Sequence, residues 1–369
     1  MKKHYINKID RFSDLIVTYT IIVQGDKIMK EKNKVPFLTI GIASYNYSKY
    51  LRPAFEAIKR QSFNDFEVLY CDDGSTDDSV EVIKTIIKEN PDMKIRLVEG
   101  KNSGVMGNKN RIIENSVGKY LMLCDADDKM LPNCLEVLCG MAKKTDADQI
   151  IGAFEQTDEN GKIIQIQEIP KKAVKWTWGA HHATLYKTKI IKDNNLKFDK
   201  NCFPDDVYFN MIFHDKSKTT EFINEVVYEW NMHADSTSAT KNVEDKWHGY
   251  SLLKSALSYI VPICETYAKE DRQQIEYMGI KIYCLSVLYR NTESFKAFIN
   301  GYKKMRKLME IKFPYYRKNI YAKKVDALEI VRKPTAKIIW AFIVAEKTHL
   351  INMVLLGYWF ISRFKKFTV

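Results

Sequence analysis

The 369-residue chain predicts an α/β fold, a parallel sheet with helices on both faces, followed by an all-helical carboxyl-terminal third. Three observations carry the prediction. Short apolar, β-branched runs alternate with amphipathic helical patterns from Pro36 to Phe154. The intervening helices are long enough to serve as right-handed crossovers between parallel strands. Beyond Asp245, glycine and proline thin out while apolar residues recur at helical spacing. With 46% hydrophobic residues, the chain can bury a core across two or three structural units.

Residues 1–34 read as an amino-terminal appendage. Its apolar run, Leu15 to Val23, is preceded by Asp10 and Asp14 and followed by no small-residue cleavage site, so it does not have the form of a secretion signal. PFLTIGIAS (Pro36 to Ser44) is the first strand. SKYLRPAFEAIKRQ is a helix with Leu51, Ala54, Phe55 and Ile58 on one face and Pro53 expected in its first turn. FEVLYC (Phe66 to Cys71) is the second strand, closed by DDGSTDD. The helix after it is capped by Ser75 to Asp78 and is expected to turn Val80, Ile83 and Ile87 inward. KIRLVEG is a third strand and GVMGNKNRIIENSVG a helix ending near Gly118. KYLMLC (Lys119 to Cys124) is a fourth strand, and a helix from Leu135 to Lys143 leads to the strand QIIGAF.

Open α/β sheets gather ligands beyond the carboxyl ends of their strands. Asp125-Ala126-Asp127 follows a strand and is therefore expected in that crevice. The identical Asp146-Ala147-Asp148 lies between a helix and the next strand, at the opposite edge, as a solvated turn. Three loops share the crevice edge: Ser44 to Asn46, Asp72 to Ser75 and Asp125 to Asp128. Carboxylates gathered there repel one another unless a cation binds, and a divalent ion with phosphate oxygens completing its shell meets that need. No Gly-x-x-x-x-Gly-Lys-Ser/Thr and no Gly-x-Gly-x-x-Gly follows the first strand, which speaks against P-loop and dinucleotide chemistry. The seven cysteines form no Cys-x-x-Cys pair, so neither a disulfide framework nor a zinc site is indicated and a cytoplasmic setting is expected.

The run PFLTIGIASYNYSKYLRPAFEAIKRQSFNDFEVLYCDDGSTDD, then NSGVMGNKNRIIENSVGKYLMLCDADD, resembles the nucleotide-binding half of family 2 glycosyltransferases, the inverting enzymes of GT-A (Rossmann-like nucleotide-diphospho-sugar transferase) fold. The resemblance covers about residues 35–140 closely and 170–240 more loosely. It implies that Ala43 and Tyr45 lie against the base of a nucleotide-sugar donor, with Asn46 and Asp72 in the same loops. Asp73 would accept from a uracil-type imide, Asp125 would hold the ribose or a metal-bound water, and Asp127, beside Ala126, would contact the metal, Mg2+ or Mn2+. Lys109 and Asn110 match a family segment that often has Arg before the Asn, so a cation near the diphosphate is kept and bidentate geometry is lost.

An inverting transfer is a single displacement and needs a carboxylate to take the acceptor hydroxyl's proton. NCFPDDVYFN resembles the family's acidic pair, which makes Asp206 the base and Asp205 its supporting neighbour; both could also cap the helix that follows. Trp176, Trp178, His181 and His182 fall near the acceptor side. Tryptophan faces suit sugar C–H surfaces, and the two adjacent histidines are expected to point in different directions. EWNMHADSTSAT (Glu229 to Thr240) resembles a loop that closes over the diphosphate in relatives, with His233 a weaker metal candidate.

These readings divide the chain into a GT-A catalytic domain, 35–244, with a nucleotide-binding part (35–140) and an acceptor part (141–244), and a helical region, 245–369. The net charge of +12 matches the excess between Gly301 and Val369, where sixteen Lys and Arg face four Asp and Glu. With the apolar run Leu350 to Ile361, the tryptophan and tyrosine belt of Trp340, Tyr358 and Trp359, and Arg363, Lys365 and Lys366, this favours peripheral contact with a membrane's inner face, where a lipid-linked acceptor would be met. Packing on the catalytic domain or in a homodimer is the alternative; no nucleic-acid partner is expected. Rival functions are a metal-dependent nucleotidyl or sugar-phosphate transferase, and a sugar-binding scaffold of the same fold without turnover.

Overall fold

β1 (Leu38–Ser44), β2 (Phe66–Asp72), β3 (Ile95–Glu99) and β4 (Tyr120–Asp125) lie parallel in the order β3-β2-β1-β4. The structure, a computed structural model, describes residues 35–233, 249–288, 294–322 and 333–362. Residues 1–34, the loop from Ala234 onward, and Arg363, Lys365 and Lys366 lie outside the described residues. The register pairs Ser44 with Asp72 and Ala43 with Asp125, which brings the loops after β1, β2 and β4 to one edge, as expected.

Beyond β4 the sheet is mixed. β8 (Thr184–Lys187) runs antiparallel to β4 and to β6 (Gln149–Thr157), while β9 (Thr220–Asn231) runs parallel to β6. β5 (Lys129–Met130) pairs antiparallel with β9, and β7 (Ile163–Gln167) with β6. Between β6 and β7 only Asp158 to Lys162 intervene, too few residues for the crossover that a parallel pairing needs.

α1 (Ser48–Lys59), α2 (Ser79–Glu89) and α4 (Cys134–Thr145) bury Leu51, Ile58, Ile83, Leu135 and Leu138 with Leu38, Ile40 and Ile42. α3 (Gly104–Asn115) and α6 (Asp205–Lys216) bury Ile112, Ile113, Phe209 and Phe213 with Leu69, Leu121 and Leu123 of the other face. Helices thus cover both faces; the short α5 (Thr188–Asp193) follows β8. α3 sits so close to β1 that a Cβ on Gly41 would collide with Ile112 Cγ2.

Three local expectations are corrected. α1 begins at Ser48, so Pro53 lies in the second turn, on the exposed side. α2 begins at Ser79, and the i, i+3 spacing buries Ile83 and Ile86 while Val80 and Ile87 sit at the margin. α3 stops at Asn115 because Ser116 turns extended, short of Gly118.

The carboxyl-terminal third contributes α7 (Gly249–Glu265), α8 (Lys269–Leu288), α9 (Phe295–Lys312), α10 (Lys333–Lys347) and α11 (Ile351–Ser362) around their own core. That core includes Trp176 and Met211, so it is continuous with the first part of the chain, and Trp176 Nε1 donates to Asp271 at 2.9 Å. Buried Glu346 accepts from the hydroxyls of Tyr283, Tyr302 and Tyr316 at 2.7, 2.8 and 2.6 Å, and from Arg317 Nε at 3.2 Å. α11 buries Ile351 and Leu355 but exposes Met353, Val354, Leu356, Phe360 and Ile361. Among the described residues no helix is long and apolar enough to cross a membrane.

Candidate active site

The loop after β2 is held by its own polar groups. Asp72 accepts from the Gly74 and Ser75 N–H groups at 3.0 and 2.8 Å, and Gly74 takes a φ of 77°. Asn46, itself at a φ of 56°, accepts from Thr76 N at 2.8 Å and ties the β1 loop to it. Asp73 is buried and accepts from Ser103 N at 3.0 Å and Gly104 N at 2.9 Å, the donors at the start of α3, and from Arg111 Nη1 at 3.2 Å. Tyr45 beside this loop is exposed and Ala43 half-buried.

The acids after β4 separate by environment. Asp127 Oδ2 lies 2.7 Å from His233 Nε2, and His233 Nδ1 lies 2.8 Å from the Tyr50 hydroxyl, with the two rings stacked at 4.3 Å. Burial and the charge of Asp125 push the Asp127 carboxyl up to about 6, against the pull of His233. Asp128 accepts from Tyr228 Oη at 2.9 Å and Asn231 N at 3.0 Å; burial and the charges of Asp125 and Asp127 hold its carboxyl well above the usual range. Ala126 is buried between them.

From the other side, α6 delivers Asp205 and Asp206 in its first turn. Lys109 Nζ, deeply buried, lies 3.0 Å from Asp206 Oδ1 and 3.4 Å from Asp205 Oδ2. His181 joins the two acidic groups: its Nδ1 is 2.7 Å from Asp206 Oδ2 and its Nε2 3.4 Å from Asp125 Oδ2. Burial opposes ionisation of Asp206, but His181 and Lys109 outweigh it and hold the carboxyl well below the usual range. Burial likewise opposes the His181 charge, yet Asp206 and Asp125 push its pKa up to about 10. Burial and the neighbouring His181 charge push His182 down to about 3. The same burial thus leaves charge favoured on His181, which has Asp206 against it, and disfavoured on His182.

Residues 39–216 match the sequence family described as Glycosyl transferase family 2. YibD of Escherichia coli K12, an uncharacterized glycosyltransferase, is 27% identical over 284 residues, which cover 69% of this chain and 80% of that protein. Hyaluronan synthase of Pasteurella multocida is 26% identical over 242 residues, 62% of this chain but only 24% of the synthase. S. aureus TarS 1–349, solved in complex with UDP-GlcNAc, superimposes with a TM-score of 0.62 at 14% identity, covering 85% of this chain and 92% of that one. Residues 39–216 form a glycosyltransferase family 2 domain. At 14% identity the TarS likeness speaks for the fold, which is GT-A with appended helices.

In this glycosyltransferase several side chains differ in placement from their sequence expectation. His181 and His182 were expected to diverge, but both face Asp125, with rings stacked at 4.5 Å. They sit in a turn closed by Ala183 at a φ of 51°, where the alternation of an extended strand does not apply. Lys109, expected at the diphosphate, is held by the Asp205–Asp206 pair. Asn110 exchanges two hydrogen bonds with the Phe198 backbone, at 2.8 and 2.9 Å, and so fastens the segment before α6. Trp176 and Trp178 are buried, the latter edge-on to Phe154, so neither offers a ring face to a sugar. His233 is buried against Asp127 and Tyr50, not placed on a surface loop. Asp146 ends α4 and pairs with Lys119 and Lys187, and Asp148 accepts from Lys218 N, so the second Asp-Ala-Asp lies at the far edge as expected.

Sequence reasoning passed over Arg111, Asp128, Tyr50 and the bridging position of His181. Asp128 was visible as the third acid of DADD. The link from His181 to Asp206 left no mark in the sequence, because it joins the turn before β8 to the start of α6 across the sheet edge.

Proposed function

We propose that this glycosyltransferase moves a sugar, with inversion, from a nucleotide-diphosphate donor, a UDP-sugar, to a hydroxyl of a glycan or lipid-linked acceptor in surface polysaccharide synthesis. Residues 35–244 act as the catalytic domain, with 35–140 holding the nucleotide and 141–244 the acceptor. The observation that supports this most is that Asp125, the last residue of β4, and Asp206, at the head of α6, are separated by a single imidazole. A donor-side and an acceptor-side carboxylate then share one crevice, as a single displacement requires.

Asp206 takes the proton of the acceptor hydroxyl as that oxygen bonds to the anomeric carbon, and the carbon's bond to the diphosphate breaks with its electron pair leaving on phosphate. Each Asp206 oxygen has one partner, Oδ1 Lys109 and Oδ2 His181, which leaves a second lone pair on each oxygen for the arriving hydroxyl. Asp205 shares the Lys109 charge. Tyr45, Ala43 and the Asn46–Asp72–Asp73 loop would line the base, with Asp73's contacts to Ser103 and Gly104 fixing the start of α3 beside it.

Asp127, Asp125 and His233 would hold Mg2+ or Mn2+; carboxylate oxygens with one imidazole nitrogen are a donor set that suits Mn2+. When bound, such an ion offsets the charge that builds on the leaving diphosphate. The basic carboxyl-terminal region and the exposed apolar residues of α11 support peripheral contact with the inner face of the membrane, from the cytoplasm.

The test is release of nucleotide diphosphate from a panel of nucleotide sugars with Mn2+ and candidate acceptors, repeated for Asp206→Asn. Transfer should fall by about 100-fold or more while donor affinity stays within a few-fold. Full-rate transfer by a folded Asp206→Asn protein would exclude Asp206 as the base. No release with any donor and acceptor would favour the sugar-binding scaffold.

A further inference from the structure

We propose that Asp125, His181 and His182 form a binding site for a divalent transition-metal ion, sharing Asp125 with the Asp127–His233 set and differing from it in both imidazoles. The ligand atoms of Asp125, His181 and His182 all lie within 4.8 Å of one another. Asp125 Oδ2 is 3.4 Å from His181 Nε2 and 3.9 Å from His182 Nε2, and His182 Nε2 is 3.6 Å from Asp128 Oδ2. A tetrahedral ion with bonds of about 2.1 Å separates its donors by about 3.4 Å, so these groups already stand near the edges of such a shell.

The second observation is that His182 is more than nine-tenths buried and neither of its ring nitrogens makes a hydrogen bond among the described residues. Leaving such groups unsatisfied costs about 1–3 kcal/mol each, which a metal bond would relieve. His181 Nδ1 faces Asp206 at 2.7 Å, the arrangement in which a carboxylate orients a histidine whose other nitrogen binds metal. Charge points the same way. Asp125, Asp127, Asp128, Asp205 and Asp206 converge here, while Lys109 is the one lysine or arginine paired to Asp205 and Asp206 among the described residues.

Two imidazoles and a carboxylate select Zn2+, Co2+ or Mn2+ over Mg2+, which prefers an all-oxygen shell. The site does not depend on sugar transfer, so it is read without any nucleotide sugar. Chelator-treated protein is titrated with Co2+ alone, following visible absorption and heat. The expected result is one ion with tetrahedral bands bound by Asp127→Asn/His233→Gln, and binding weakened by about 100-fold or more when His181→Asn/His182→Gln is added to it. Equal Co2+ affinity with and without His181→Asn/His182→Gln in that background, or no binding of Co2+ by Asp127→Asn/His233→Gln, overturns the site. Should the combined variant fail to fold, pulsed electron resonance of Mn2+ on Asp127→Asn/His233→Gln decides: two imidazole nitrogens support the site, and one or none rejects it. A negative result leaves the transferase reading intact, and absence of transfer leaves this metal readout unaffected.

Discussion

Replacing Lys109 by Met removes a buried ammonium from between two carboxylates while keeping an unbranched side chain of similar length. At 3.0 and 3.4 Å, with an effective dielectric near 20, each contact is worth about 5 kcal/mol of gross attraction. Desolvating the ammonium offsets several kcal/mol of that, so the net loss should be about 3–5 kcal/mol, the range for breaking a buried pair by removing one partner. The loss has a pH signature. Burial already raises the Asp205 carboxyl, with Lys109 holding it down. Without Lys109 the folded-state pKa rises further, so the variant loses stability as pH rises through that value and recovers part of it at lower pH. Urea unfolding of both proteins at several pH values between about 5 and 8 measures this. A deficit below about 1 kcal/mol, or one that does not change with pH, would refute the view that Lys109 is the principal counter-charge of Asp205.

Glu346→Gln keeps the shape of the helical core but sets an amide N–H2 among three tyrosine hydroxyls and Arg317; a loss of about 3 kcal/mol in urea unfolding is expected, and under 1 kcal/mol would mean that the tyrosines reorient freely. His214 is kept neutral by burial and then by the charge of Lys175, well below its ordinary 6.5, with Nε2 3.0 Å from Gln149 Oε1. The unfolded chain takes up the proton near 6.5, so the contribution of His214 is complete above that pH and declines below it by about 1.4 kcal/mol per pH unit. His214→Gln should flatten the acid limb of the stability profile by one proton's worth; an unchanged slope would place the titration elsewhere, His182 being the other histidine pushed down among the described residues.

The sequence alone determined that β1 to β4 run parallel, because helices long enough for crossovers separate the apolar strands, and parallel strands send Asp125 and Asp127 to the crevice and leave Asp146 and Asp148 at the far edge; the order β3-β2-β1-β4 was decided by the tertiary structure. Composition likewise determined a helical carboxyl-terminal third. The mixed half of the sheet was not legible, since β8 and β9 are specified by partners far along the chain and not by local periodicity. Tertiary structure also decided the electrostatics of the crevice. Side chains from α3, the turn before β8, α6 and the end of β9 meet there, and burial makes their charges interdependent. Lys109 serves the acid pair of α6, His181 joins Asp125 to Asp206, and His233 closes on Asp127. A pKa in a low-dielectric crevice depends on which groups lie within a few ångströms, and no spacing along one chain encodes that distance.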